Sequence, residues 1–310
     1  MSTTGRFRRA EEGERFADVG RGVSLCYETF GDPADPTVLL IMGLATQMIG
    51  WPEELCEMLA ERDLYVVRFD NRDIGRSSRM DDVPPPSAAR MLARRFVASQ
   101  YDIADMARDT AGLLDALDRA PAHVVGMSMG GMIGQTLAAQ YPGDVLSLVS
   151  ISSSTGGSRV GRPTPSTLRL VMSKPRPGLD GAIERTLAVY RHIGSHGFPF
   201  DEERVTTLAR RAYERGPSAA GIARQMGAII KSGDRTAELR RITAPTLVLH
   251  GDRDRMVNPS GGRATARAIP GARLETIPGM GHDLPLDALP RIAELIAGHI
   301  ESARETAGTT

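Results

Sequence analysis

Near-continuous apolar runs at residues 37–42, 64–69, 122–125, 145–151 and 245–250 constrain this chain more than any other feature of its sequence. Short runs without polar alternation suit strands buried on both faces, as in a parallel sheet sandwiched between helices. Helical stretches separate them. Pro52 opens one that reaches about residue 61. Residues 103–117 set Ile103, Met106, Ala107, Leu113, Leu114 and Leu117 roughly on one face, and residues 129–140 form another helix that stops before Pro142. Two further strands are expected at residues 23–30, closed by Gly31-Asp32-Pro33, and at residues 273–277, with a last helix over residues 287–300. Strand–helix alternation of this kind predicts an α/β fold with a mostly parallel sheet and helices on both faces. The alternation breaks at residues 154–241, which hold Gly156-Gly157, several prolines and Arg-, Ala- and Leu-rich helical stretches but no convincing strand. That segment is expected to be a helical cap inserted into a core of residues 1–153 and 242–310. Such an insertion lies over the C-terminal edge of the sheet, where open α/β sheets bind their ligands.

One motif falls at that edge. Gly126-Met127-Ser128-Met129-Gly130 is a G-x-S-x-G sequence between the apolar run Val124-Val125 and a helical pattern. With 33 glycines the five-residue match is weak by itself. The strand–turn–helix context makes it strong, because a nucleophile elbow needs that setting. Glycines beside the serine let strand and helix approach closely, and the hydroxyl is left at a helix N-terminus that favours negative charge. A serine hydroxyl needs a base, and the base needs an orienting carboxylate. Among six histidines, His282 sits in the loop Gly279-Met280-Gly281-His282-Asp283, directly after a strand and before the last helix. His123 is at the wrong end of its strand, His192 and His196 lie in the insertion, and His299 is near the end of the last helix. His250 ends a strand near the same edge but meets an immediate Gly-Asp turn. The carboxylate is expected in Gly251-Asp252-Arg253-Asp254. Asp252, beside the glycine, reads as a turn-capping residue and Asp254 as the acid. The catalytic candidates are therefore Ser128, Asp254 and His282, in the chain order Ser–Asp–His.

With these segments in place, the sequence resembles the α/β-hydrolase fold family, in its esterase and proline-iminopeptidase branch, and is similar to the aclacinomycin-methylesterase-type hydrolases of actinomycetes. The resemblance is carried by residues 30–36, 40–44, 68–77, 123–131, 251–254 and 277–282, and it covers about residues 20–155 and 240–300. It implies an eight-stranded α/β-hydrolase sheet. It also implies an oxyanion hole from the backbone N–H groups of Met129, after the nucleophile, and Leu44, in the loop after the 37–42 strand. Gly43, Trp51 and Met280 are the candidates for the substrate pocket, with a core position the alternative for Trp51. Many members carry His-Gly where this chain has Met42-Gly43, a departure that leaves a backbone oxyanion hole intact. The activity implied is serine-dependent hydrolysis of small to medium apolar carboxylic esters through an acyl-enzyme. The same machinery also serves lactones, thioesters, prolyl peptides, carbon–carbon bonds and perhydrolysis. A small-molecule receptor built on the fold is the alternative of a different class. The acidic run Asp201-Glu202-Glu203 could hold a peptide amine, but an exposed helix start is the better reading.

Composition narrows the partners. Lys+Arg and Asp+Glu are 38 each, which argues against a nucleic acid or anionic membrane held by bulk charge. The two cysteines, Cys26 and Cys56, are too few for a disulfide framework and read as buried thiols. No apolar stretch nears the ~20 residues of a membrane helix, and the polar leader at residues 1–13 has no signal-peptide h-region. A cytoplasmic enzyme without metal or cofactor follows, since neither H-E-x-x-H, paired C-x-x-C nor a Walker lysine occurs.

Overall fold

The computed structural model describes residues 13–174 and 176–308, so the expected polar leader lies, Gly13 apart, outside the described residues. The chain runs β1 (Arg15–Asp18), β2 (Ser24–Phe30), β3 (Thr37–Ile41), α1 (Glu53–Ala60), β4 (Tyr65–Phe69), α2 (Ala88–Leu92), α3 (Ile103–Ala116), β5 (Ala122–Met127), α4 (Met129–Gln140) and β6 (Val145–Ile151). Five helices follow with no strand between them: α5 (Pro165–Met172), α6 (Gly178–Ile193), α7 (Glu202–Glu214), α8 (Ala219–Ser232) and α9 (Thr236–Leu239). The alternation then resumes with β7 (Thr246–Gly251), α10 (Ser260–Ala268), β8 (Arg273–Ile277) and α11 (Leu289–Gly308).

All eight strands form one sheet in the order β1-β2-β4-β3-β5-β6-β7-β8. The first two pairings, β1 with β2 and β2 with β4, are antiparallel; every other pairing is parallel. Strand periodicity explains the layers. Leu39 and Ile41 of β3 join Val67, Phe69, Val124 and Leu148 in one apolar cluster covered by α3 and α4. Their sequence neighbours Val38 and Leu40 point the other way, joining Val66, Val125, Val149, Leu247 and Leu249 beneath α1 and α11. Both faces are thus buried, which is why the central strands are continuously apolar. Cys26 and Cys56 are buried free thiols. No helix among the described residues is long and apolar enough to cross a membrane.

At the end of the sheet away from Ser128, His123 of β5 is buried with Nδ1 2.9 Å from Ser147 Oγ of β6. Its Nε2 has no hydrogen-bond partner among the described residues. Burial, then the charges of Arg304 and His299, hold this imidazole down from 6.5 to about 4. The fold therefore keeps His123 neutral where the unfolded chain would protonate it, so stability falls as pH drops through 6.5 and continues to fall until about 4. That window corresponds to on the order of 3 kcal/mol. His123→Gln, neutral at every pH, is expected to lose less stability by about that amount between pH 7 and pH 4. Urea midpoints at the two pH values, read at constant m, would test it. Parallel pH dependence in variant and wild type would reject it.

Candidate active site

The parallel strands end on one edge, and the candidate residues leave from it: Ser128 after β5, Asp254 after β7, His282 after β8 and the loop of Gly43 and Leu44 after β3. Ser128 takes φ 56° and ψ −118°, a strained conformation for an L-residue that turns β5 sharply into α4. Two glycines permit the turn. A Cβ on Gly126 would fall 2.2 Å from the Gly130 carbonyl oxygen, and one on Gly130 only 1.9 Å from that of Ile41. The serine backbone is pinned from β6, since Ser128 N–H donates to Ile151 O at 2.9 Å and Ser153 Oγ donates to Ser128 O at 2.7 Å.

The three catalytic candidates meet. His282 Nε2 lies 3.0 Å from Ser128 Oγ, and its Nδ1 lies 2.7 Å from Asp254 Oδ2. The other carboxylate oxygen, Oδ1, accepts from the N–H groups of Met256 and Val257 at 2.9 and 2.8 Å. Burial pushes the Asp254 carboxyl up, but the His282 charge and the hydrogen bonds from His250 and His282 outweigh it and leave it well below the usual carboxylate range. Asp254 thus stays ionised against a neutral or cationic imidazole. The backbone N–H of His282 donates to Ile193 O at 2.7 Å, tying the histidine loop to the end of α6.

The neighbouring carboxylates have other duties. Asp283 bonds Ser195 Oγ, whose oxygen in turn accepts from Gly281 N–H at 2.8 Å. Asp252 accepts from Gly279 N–H at 2.7 Å. It therefore caps a backbone group of the histidine loop, where a local turn bond was expected. Asp201 caps α7 by accepting from Arg204 N–H.

The loop after β3 passes over the nucleophile, and a Cβ on Gly43 would stand 3.1 Å from Ser128 Cβ and 3.6 Å from its Oγ. Met129 is the first residue of α4, where N–H groups have no partner within the helix. The first turn of α4 and the backbone of the loop after β3 thus both lie beside Ser128. The remaining pocket candidates are placed elsewhere. Trp51 and Met280 are both fully buried in the cluster beneath α1 and α11, which leaves their side chains no exposed surface to offer a ligand. The 3-10 turn Met48–Gly50 carries Trp51 inward, where its carbonyl accepts from buried Arg68.

Sequence reasoning missed two contributors. His250 Nε2 lies 2.8 Å from Val257 O and 3.5 Å from Asp254 Oδ2, so a second imidazole braces the acid. The sequence placed it near the same edge as a rival base, and did not mark it as a neighbour of the acid. Ser153 supports the nucleophile's carbonyl, yet nothing separates it in sequence from Ser152 and Ser154.

Comparison with known proteins gives the family and the fold. The family described as serine aminopeptidase, S33, matches residues 32–288. Rhodomycin D methylesterase DauP of Streptomyces sp. (strain C5) is 34% identical over 307 residues, covering 91% of this chain and 96% of that protein. Rhodomycin D methylesterase DnrP of Streptomyces peucetius is 32% identical with the same coverage. Among solved structures, the enol-lactonase from Burkholderia xenovorans LB400 superposes with a TM-score of 0.71 at 23% identity, over 93% of this chain and 100% of that one, which speaks for the fold. The chain belongs to the serine aminopeptidase, S33, family of hydrolases with the α/β-hydrolase fold.

Proposed function

We propose that this protein hydrolyses a carboxylic ester by two-step acyl transfer on Ser128. The observation that carries the reading is the unbroken relay from Asp254 Oδ2 through His282 to Ser128 Oγ, 2.7 and 3.0 Å long. His282 takes the hydroxyl proton as Ser128 Oγ attacks the ester carbonyl, and Asp254 holds the ring and stabilises its cationic form. The N–H groups of Leu44 and Met129 receive the oxyanion, each contributing about 3 kcal/mol of transition-state stabilisation. His282 returns the proton to the leaving alcohol, then deprotonates the water that releases the acid. Residues 154–241 act as a cap over the site and select the substrate. The methylesterase relatives favour a methyl ester. A cytoplasmic setting fits the two free thiols.

An aminopeptidase reading has one observation in its favour. A groove of about 570 Å³ has Glu53, Glu54, Glu203 and Asp283 in its lining together with Phe198 and Phe200, though none of Ser128, Asp254 and His282. Three of those carboxylates are already engaged, however: Glu54 with Arg204, Glu53 with Arg211, and Asp283 with Ser195. An incoming ammonium group would have to break such a pair or rest on Glu203, in a groove that none of the catalytic candidates lines, so the ester is favoured. Purified enzyme is expected to turn over p-nitrophenyl esters, acetate to decanoate, and to release methanol from aromatic methyl esters, with aminoacyl p-nitroanilides cleaved at least ~100-fold more slowly in kcat/KM. A preference for the anilides would replace the ester reading, and inertness toward the whole panel would reject it.

A further inference from the structure

The loop between β3 and α1 carries Leu44, and its shape is set from outside the sheet. Ala45 has φ +61°, a left-handed conformation that an L-residue holds only when its surroundings impose it. Its side chain is exposed, so packing does not supply the constraint. Hydrogen bonds do: the turn closes on itself through Thr46 N–H to Gly43 O at 3.3 Å and Thr46 Oγ1 to Leu44 O at 3.2 Å, and from outside it Ala45 N–H donates to Gln225 Oε1 at 3.2 Å. Gln225 is fully buried on α8, 180 residues away in sequence, and its Nε2 donates to Arg72 O at 2.8 Å. The amide thus bridges two backbone groups of the sheet edge.

Two further ties reach the same loop from the same stretch of chain. Gln47 Nε2 donates to Ala212 O of α7 at 2.7 Å, and Arg215 Nε donates to Gln47 Oε1 at 2.7 Å. Arg215 also pairs with Asp70, whose Oδ1 accepts from Met48 N–H at 2.7 Å. Helix α8 is itself anchored, since buried Arg224 grips Asp73 through Nε and Nη2 at 2.8 and 2.6 Å and donates to Val83 O at 3.0 Å.

We infer that Gln225, a residue of the insertion, is a positioning residue for the oxyanion hole, fixing the Ala45 peptide and through it the direction of the adjacent Leu44 N–H. This rests on the ester-hydrolase reading of Ser128 and Leu44. The insertion is then part of the catalytic apparatus as well as a cover. Its effect falls on the rate and leaves binding alone, because a misdirected donor costs most where the oxyanion carries full charge.

Gln225→Met, of similar length but without the amide, and Gln225→Glu, which keeps an acceptor for Ala45 N–H, test this on the ester that wild type turns over best. The Met variant is expected to lose about 10- to 100-fold in kcat with KM within ~3-fold, because displacing one oxyanion donor costs up to 10²–10³. Its affinity for an aryl trifluoromethyl ketone, whose carbonyl becomes an oxyanion on adding Ser128 Oγ, is expected to fall by the same factor. The Glu variant is expected to keep kcat and ketone affinity within ~5-fold of wild type although its buried carboxylate lowers Tm more than Met does. A kcat order opposite to the Tm order separates positioning from stability. A folded Met variant with unchanged kcat and ketone affinity overturns the inference, as does activity that merely follows Tm. If Gln225→Met does not fold, Gln225→Leu takes its place with the same expected losses, and a folded Leu variant with unchanged kcat and ketone affinity overturns the inference. Ser128→Ala, run alongside, keeps the two levels apart. Its retaining activity sinks the ester reading, whereas an inactive Ser128→Ala beside a fully active Gln225→Met sinks only the positioning role.

Discussion

Ser128→Ala and His282→Ala are each expected to lower kcat on a p-nitrophenyl ester by at least ~10³-fold, and the double variant to be no slower than the slower single one. The non-additivity is the informative part. Nε2 of His282 lies 3.0 Å from Ser128 Oγ and has no second acidic hydroxyl within the relay to serve. Removing the nucleophile therefore leaves the base without a task, and removing the base leaves a hydroxyl of ordinary nucleophilicity. Multiplicative losses would mean that the two residues act in separate steps, and an active Ser128→Ala would remove the acyl-enzyme from the mechanism. Active-site titration with a fluorophosphonate, which labels an activated serine, checks the same point without a substrate.

The second large effect is expected from Asp254→Asn, at about 10³- to 10⁴-fold in kcat with little change in fold. An asparagine oxygen at the Oδ1 position still accepts from Met256 and Val257 N–H, so the loop after β7 stays in place. The amide nitrogen then faces His282 Nδ1 and donates to it, where the carboxylate accepts. That forces the ring into the tautomer with its proton on Nε2, which cannot take the proton of Ser128. Asp254→Ala should be worse folded and no better catalytically, since it strips two backbone donors of their buried acceptor. Comparing Tm and kcat for the two variants separates the structural from the tautomeric role. Equal Tm and an Asn variant within ten-fold of wild type would assign the acid elsewhere, with Asp283 the next carboxylate along the histidine loop.

How far the sequence reading reached depended on how local each signal was. Seven strands lay in runs whose composition announced them, whereas β1 (Arg15–Asp18) did not, because only Ala17 among its residues is buried and its pairing with β2 supplies the rest of its stability. The last helix was expected to start at residue 287 and end at 300. A 3-10 turn at Leu286–Ala288 delays its start, and it runs on to Gly308 as a tail largely exposed beyond Ile300. The candidate nucleophile, base and acid stood out because each sits in a short glycine-bearing loop after a strand, which ranked His282 above the other histidines and Asp254 above Asp252. Trp51 could not be resolved between pocket and core from its type, since an indole suits both; the direction of one turn placed it inside. Gln225 carries no signal at all. A glutamine among Arg, Met and Ile on a helix looks like an ordinary polar position, and its significance exists only once α8 is laid against Ala45 and Arg72.

Strands β6 and β7 are neighbours in the sheet, and everything from α5 to α9 departs from one and returns to the other. The two strands are parallel, so the chain leaves β6 at one edge of the sheet and has to cross back to the other edge before it can enter β7. Any stretch that makes this crossover can replace the present one without reordering a strand, but a dozen or so residues is the least that a parallel connection needs. The threads from Gln225, Arg215 and Arg224 set the terms of any exchange. A chimera that borrows this stretch from a relative can keep an intact sheet and relay yet turn over slowly, unless the borrowed helices bring an amide to the Ala45 peptide. Substrate preference and turnover are therefore inherited together here, and shuffling one without the other should yield folded, selective and sluggish enzymes.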